Sequence, residues 1–322
     1  MFARSKLVIV RIGERLSSKS YEDSFYSWLS ERKTDVNEPR NILPSGSVVG
    51  ECRICALLGQ GGFADVYRAT VGNVEVVAIK ILHRLDDKSR ARFVRESEIL
   101  SRIKHPHFPR LLCSGSVGER PYIVLEFLRG CDLPSTDREI ASFLKQIISA
   151  VEELHRHGYI HRDIKPANIL FRADGTPVLI DFGLASPMCA IRHEKEGLSV
   201  DGGKNVAVGT VGYSAPEQFS GQAAGPEADV HAIGVLIDEC HRGKMPGCWR
   251  RIYLAATASN PKSRYSTVVE LRKAINVRHL RKAFFSILGV TLLVLLAFLL
   301  MEGAKRYSIE NGTPRKFQES EV

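Results

Sequence analysis

His161-Arg162-Asp163-Ile164-Lys165-Pro166-Ala167-Asn168, followed by Asp181-Phe182-Gly183, is the stretch on which the fold of this 322-residue chain turns. It sets an acid, a lysine, an asparagine and a second acid within one short segment. Those groups together can hold a metal-bound phosphate chain beside an acceptor hydroxyl. Between the motifs run Ile169-Leu170-Phe171, Asp174-Gly175-Thr176 and Val178-Leu179-Ile180, the pattern of strand, turn and strand.

The two motifs at this spacing resemble the protein-kinase superfamily, on the side that phosphorylates serine and threonine. The resemblance implies an α+β, bilobal fold over residues 45–275, with a small β-rich N-lobe and a larger α-helical C-lobe. It also implies roles. Asp163 is the base that accepts or orients the acceptor hydroxyl proton, and Lys165 neutralises charge on the γ-phosphate of ATP. Asn168 and Asp181 are hard oxygen ligands for Mg²⁺, with Mn²⁺ as an alternative. His161 belongs to a packed spine with Leu100, Leu111 and Phe182.

Upstream, Leu58-Gly59-Gln60-Gly61-Gly62-Phe63-Ala64-Asp65-Val66-Tyr67 reads as strand, glycine turn, strand. Gly59 and Gly61 let backbone N–H groups approach phosphate oxygens without a Cβ in the way. Ala64 stands where the family's usual third glycine would, so a somewhat stiffer loop is expected. No Walker-type Gly-Lys-Ser/Thr ending is present, which leaves the P-loop NTPase alternative without support. Val77-Ala78-Ile79-Lys80 is an apolar strand ending in a lysine that needs a partner if buried. Glu96, on an amphipathic helix with Phe93, Ile99, Leu100 and Ile103, is the expected partner, and Glu98 is the rival on a different face. By resemblance Lys80 holds the α- and β-phosphates. Tyr122 to Gly130 looks like the hinge between lobes, with Leu125 behind the adenine pocket, backbone groups of Glu126 and Leu128 facing adenine, and Val66, Ala78 and Leu170 sandwiching the base.

Downstream, Thr136-Asp137-Arg138-Glu139 forms a capping box before Ile140, Phe143, Leu144, Ile147, Ile148, Val151 and Leu154, a long buried helix. Gly209 to Glu217 resembles the segment that receives a peptide acceptor, with Thr210 inside it, which argues for protein substrates carrying Ser or Thr. The resemblance pairs Glu217 with Arg264 and makes Asp229 the anchor of the catalytic-loop backbone. Arg162 before the catalytic acid resembles kinases switched on by a loop phosphate. Residues 201–208 hold no hydroxyl, so the loop is either phosphorylated at Ser199, the nearest upstream candidate, or active without phosphate. The chain is short between Gly130 and the long helix and again between Cys240 and Asn260, so two surface helices of the C-lobe should be missing.

A formal charge of +9 is spread along the chain and interleaved with acids, which points away from nucleic acid. Seven cysteines, an odd number in a long chain, favour a reducing compartment, and Cys52-x-x-Cys55 has no second pair to complete a zinc site. From Ala283 to Met301 runs AFFSILGVTLLVLLAFLLM without a charge. As a helix it would be about 28 Å long, a bilayer's hydrocarbon thickness. The expected division is an extension of unknown role at 1–44, the kinase domain, a basic juxtamembrane segment at 276–282, a transmembrane helix at 283–301 and a tail at 302–322. Arg272, Lys273, Arg278, Arg281 and Lys282 crowd the N-terminal flank, placing a single-pass chain with its kinase domain on the cytoplasmic side. No small-xxx-small pattern in the span supports homodimerisation. The rival reading is a pseudokinase scaffold that recruits partners at the membrane. Ala64 and the trimmed lobe favour it, and Lys80, Asp163, Asn168 and Asp181 oppose it.

Overall fold

The computed structural model describes residues 42–72, 75–188, 210–219 and 224–311. Ser199, most of the N-terminal extension and the end of the tail lie outside them. The first part is an antiparallel sheet built from β1 (Val48–Val49), β2 (Cys52–Gln60), β3 (Ala64–Val71), β4 (Glu75–Leu82), β5 (Leu111–Val117) and β6 (Arg120–Glu126). Its strand order is β1-β2-β3-β4-β6-β5. Register assigns each side chain a face, because side chains alternate along a strand. Val66 lies opposite Lys80, Lys80 opposite Ile123 and Ala78 opposite Leu125, so these five share one face. Tyr67, Ala69, Ile79, Ile81, Tyr122 and Val124 take the other face, in a core with Val49, Cys52 and Ile54. Cys52 is thus a core residue, while Cys55 is half-buried in the same strand.

Helix α1 (Asp87–Arg102) crosses between β4 and β5, and Asp86 caps it by accepting from the Ser89 N–H at 3.1 Å. Phe93, Ile99 and Leu100 are buried on its inner face together with Glu96. The second part is helical. In α2 (Asp137–Arg156) the capping box Thr136–Glu139 is formed, and every apolar position of the sequence pattern is buried. The chain then passes through β7 (Tyr159–Ile160), a hairpin of β8 (Ile169–Phe171) and β9 (Pro177–Leu179), and β10 (Ser186–Pro187), which pairs with β7. Gly175, with φ +84, makes the hairpin turn, a backbone region most side chains avoid.

After α3 (Pro216–Phe219) comes α4 (Glu227–His241), then α5 (Gly247–Ala256). No helix separates Gly130 from α2, whereas the short stretch between Cys240 and Asn260 holds α5. Trp249 of α5 is fully buried, its ring 5.1 Å from His241 and its indole N–H donating to Asp137 at the start of α2. One aromatic side chain thereby locks α5 onto two other helices.

The last helix, α6 (Val268–Asn311), is 44 residues long. It runs unbroken through 276–282 and 283–301, which the sequence treats as separate segments, and continues past Met301. Two compact units, Met1–Arg272 and Lys273–Val322, divide within it. In the second unit Ile287–Tyr307, 21 residues with a mean hydropathy of 2.4 and none of it buried, is long and apolar enough to cross a membrane.

Candidate active site

Lys80 reaches the cleft because it faces inward at an even position of β4. Its Nζ donates to Glu96 Oε2 at 2.6 Å and to Asp181 Oδ1 at 3.3 Å. Burial pulls the lysine pKa down, but the Asp181 and Glu96 carboxylates outweigh it and hold the ammonium charged, above its usual range. The Lys80 charge in turn keeps Asp181 below the ordinary carboxylate range against the opposing effect of burial. Asp181 is 37 % exposed at its side chain, so it is open to a ligand in the cleft. Glu98 is half-buried one turn face away and is not the partner of Lys80.

The catalytic loop is held from below. Asp229 of α4 is fully buried and accepts the backbone N–H groups of His161 at 2.9 Å and Arg162 at 2.8 Å, with His155 Nε2 at 2.7 Å from the same carboxylate. Burial alone would push Asp229 up, but the hydrogen bond from His155, the two neighbouring imidazoles and the backbone bond from His161 hold it below its usual value. Arg162 and Asp181 both have positive φ, 69° and 64°. Neither is glycine, and strain of this kind concentrates where a site needs it.

Within the loop, Asp163 is buried and its carboxylate is shared. Oδ2 accepts from Asn168 Nδ2 at 2.8 Å and from Lys165 Nζ at 2.8 Å, and Oδ1 accepts the Thr210 hydroxyl at 2.7 Å. Lys165 also donates to Thr210 Oγ1 at 2.7 Å. Asn168 Nδ2 donates to the Asp163 carbonyl too, at 2.8 Å. Both of its neighbours are acceptors, so the amide nitrogen must face them and the amide oxygen is left over. That oxygen and the Asp181 carboxylate are the hard ligands a divalent cation bound with nucleotide would take. The donor chemistry therefore fits the group that the sequence resemblance implies.

In the glycine loop, Gly61 N–H donates to the Ala64 carbonyl at 2.9 Å. A Cβ on Gly61 would sit 2.6 Å from that oxygen, so only glycine closes the turn. Gly59 has open space around it. Ala64 is buried in a cluster with Leu82, Phe93 and Ile123, which explains a methyl group where a third glycine is usual. Phe63 went unread in the sequence. Its ring lies 5.3 Å from Lys80 Nζ, and a Cβ on Gly183 would come within 3.1 Å of it.

Val66, Ala78, Leu125 and Leu170 are half-buried apolar residues, and Leu128 is buried. Glu126 is also buried, with its carboxylate committed to Arg172 and Arg110. Behind the site, Leu100 and Phe182 share a cluster with Leu111 packed against it, and the His161 ring lies tilted against Phe182 at 5.2 Å. Burial keeps the His161 imidazole below its usual pKa and therefore neutral.

On the acceptor side, Arg264 grips Glu217 with two bonds of 2.7 and 2.8 Å. Gln218, unread in the sequence, donates to the Arg162 carbonyl at 2.9 Å and accepts from the Ala215 N–H at 3.0 Å. It stitches the acceptor segment to the catalytic loop. Residues 189–209, with Ser199, are outside the described part.

The sequence model of the protein kinase domain matches residues 53–277. A probable serine/threonine-protein kinase PknB of Lactococcus lactis is 33% identical over 207 residues, 60% of this chain and 32% of that protein. The serine/threonine-protein kinase PknH of Mycobacterium bovis is 35% identical over 213 residues, 62% of this chain and 34% of its own length. The DNA damage-responsive serine/threonine-protein kinase RqkA of Deinococcus radiodurans is 34% identical over 218 residues, 64% and 32% respectively. The chain thus spans about a third of the length of these relatives. With the match covering more than half of the chain and both motifs, the chain belongs to the protein kinase domain family.

Proposed function

We propose that the chain is a serine/threonine protein kinase, anchored in a membrane by α6, that transfers the γ-phosphoryl group of metal-bound ATP to hydroxyls of protein substrates. The observation that carries this reading is the closed ring of Asp163, Lys165 and Thr210, with Asn168 bonded to Asp163, found together with an intact Lys80–Glu96 pair. The printed names of the relatives support serine and threonine as acceptors. The apolar span and its basic N-terminal flank support a membrane anchor with the kinase domain in the cytoplasm.

Phosphoryl transfer passes through a loose transition state, so the protein's work is positioning and charge stabilisation. Asp163 Oδ1, now held by the Thr210 hydroxyl, is the acceptor for the substrate hydroxyl proton and fixes the angle of attack. Lys165, which touches both Asp163 and Thr210, is placed to neutralise charge on the transferred group. Lys80, held charged by Glu96 and Asp181, receives the non-transferred phosphates. Asn168 Oδ1 and Asp181 would hold the divalent ion, which when bound neutralises charge on the phosphate oxygens.

The test is incorporation of label from ATP into a generic basic protein by the full chain in detergent, beside Asp163→Asn and Lys80→Met. Each substitution is expected to lower the rate by about 10²–10⁴-fold. Equal incorporation by all three would remove the enzyme reading and leave the membrane scaffold.

A further inference from the structure

Arg172, one residue past β8, has no place in the sequence motifs, yet its guanidinium makes four hydrogen bonds beside the nucleotide cleft. Its Nη2 donates to Glu126 Oε1 at 2.6 Å and its Nε to Glu126 Oε2 at 3.1 Å, a two-pronged grip on a carboxylate whose side chain is 7 % exposed. The same guanidinium donates to the Phe108 carbonyl at 3.0 Å and to the Pro106 carbonyl. One side chain from the β8–β9 hairpin therefore ties the end of β6 to the loop between α1 and β5.

The neighbouring residue completes the arrangement. Phe171 accepts the Arg129 N–H at 2.9 Å and donates its own N–H to the Arg129 carbonyl at 2.8 Å. Phe171 and Arg172 thus fasten Arg129 and Glu126, the two ends of a span with only Phe127 and Leu128 between them. The Phe127 ring is itself covered by the Arg68 guanidinium 5.9 Å away. Leu128 enters no backbone–backbone hydrogen bond among the described residues, so its N–H and carbonyl are held in place but uncommitted.

Arg110 also pairs with Glu126, its N–H at 2.9 Å and its Nε at 3.2 Å. At 73 % exposed its side chain is a weakly held, solvent-screened partner, whereas Arg172 is 22 % exposed. Without Arg172 the buried carboxylate would lose its better cation and move toward the surface, and the backbone beside it would follow.

We propose that Arg172 is a positioning residue for the nucleotide. Acting through Glu126, it sets the place of the Phe127–Leu128 backbone, and so governs how tightly and how selectively adenine is held while leaving phosphoryl transfer alone. The inference rests on the reading of the cleft as an ATP site.

The experiment uses the full chain in detergent, with Arg172→Met, Arg172→Lys and Glu126→Gln, and a fluorescent ADP analogue as the first probe. Wild-type chain that fails to bind the analogue would overturn the ATP-site reading itself. If it binds, KM for ATP, kcat and the ATP-over-GTP preference are compared. Arg172→Met and Glu126→Gln are expected to raise KM for ATP about tenfold, the scale of one lost positioning interaction, with kcat within about twofold. Their preference for ATP over GTP should shrink, and Arg172→Lys, which keeps the charge without the fork, should fall between. Where Arg172→Met does not fold, Arg172→Lys and Glu126→Gln carry the comparison. Unchanged KM and base preference, or a fall in kcat at constant KM, would overturn the proposal and leave Arg172 a brace of the fold.

Discussion

At the scale of single residues, charge requirements made the site readable. Lys80 is buried and had to find an acid, and the neighbouring helix α1 offered Glu96 on its inner face. Asp163, Asn168 and Asp181 stood out through the motif resemblance, and the structure brings Asn168 against Asp163 and Asp181 against Lys80. Residues with a common chemistry and a distant partner did not stand out. His155 meets Asp229 74 positions away and Arg172 meets Glu126 46 positions away, separations that no local spacing reveals. Thr210 illustrates a role that geometry sharpens, because its hydroxyl donates to Asp163 and accepts from Lys165 at once. Thr210→Ala should therefore lower kcat by about 10–100-fold while Thr210→Ser, which keeps the hydroxyl, stays near wild type, as read from steady-state rates. The buried His161 and the half-buried His105, His107 and His231 push stability one way with pH, opposed by Glu96, whose carboxyl burial raises to about 7. His161, His107, His105 and His231 all have pKa values lowered chiefly by burial. Below their ordinary value of 6.5 the unfolded chain takes up protons that the folded chain refuses, so stability is lost as pH falls. The thermal unfolding midpoint should drop between pH 7 and pH 5.

At the scale of elements, periodicity and capping gave α2 almost whole, since a buried helix needs apolar residues every third and fourth position and a donor-satisfying start. The β8–β9 hairpin was readable from its turn, although β9 ends at Leu179 rather than Ile180. The stretch without a helix after Gly130 was legible as a short spacing, yet the packing of α5 inside the second short stretch was not. Trp249 is one of two tryptophans in the chain, and nothing near it in sequence says that its ring meets His241 and its N–H meets Asp137. Trp249→Ala would leave a large cavity where three helices meet. It should destabilise the fold by about 3–5 kcal/mol, measured by urea unfolding of the full chain in detergent.

At the scale of the whole molecule, the uncharged run from Ala283 marked a candidate span, and Ile287–Tyr307 in the structure is long and apolar enough to cross a membrane. The boundaries around it were not readable, since a helix carries on through basic residues as easily as through apolar ones. If α6 anchors the chain, it should sediment with membranes and resist carbonate extraction. Cys131, exposed beside the hinge, should react with an impermeant maleimide only after the membrane is opened. Labelling in intact cells would reverse the orientation. Asp229 bears on how such a chain comes into being. Its bonds to His155, His161 and Arg162 close stretches of 74, 68 and 67 residues. Long closures of this kind form late, after local helices and hairpins. A nascent chain that has already displayed Asp163, Lys165 and Asn168 still lacks the residue that orders their backbone. During synthesis the capacity to phosphorylate should therefore arrive abruptly, with the docking of α4, and not grow in step with length.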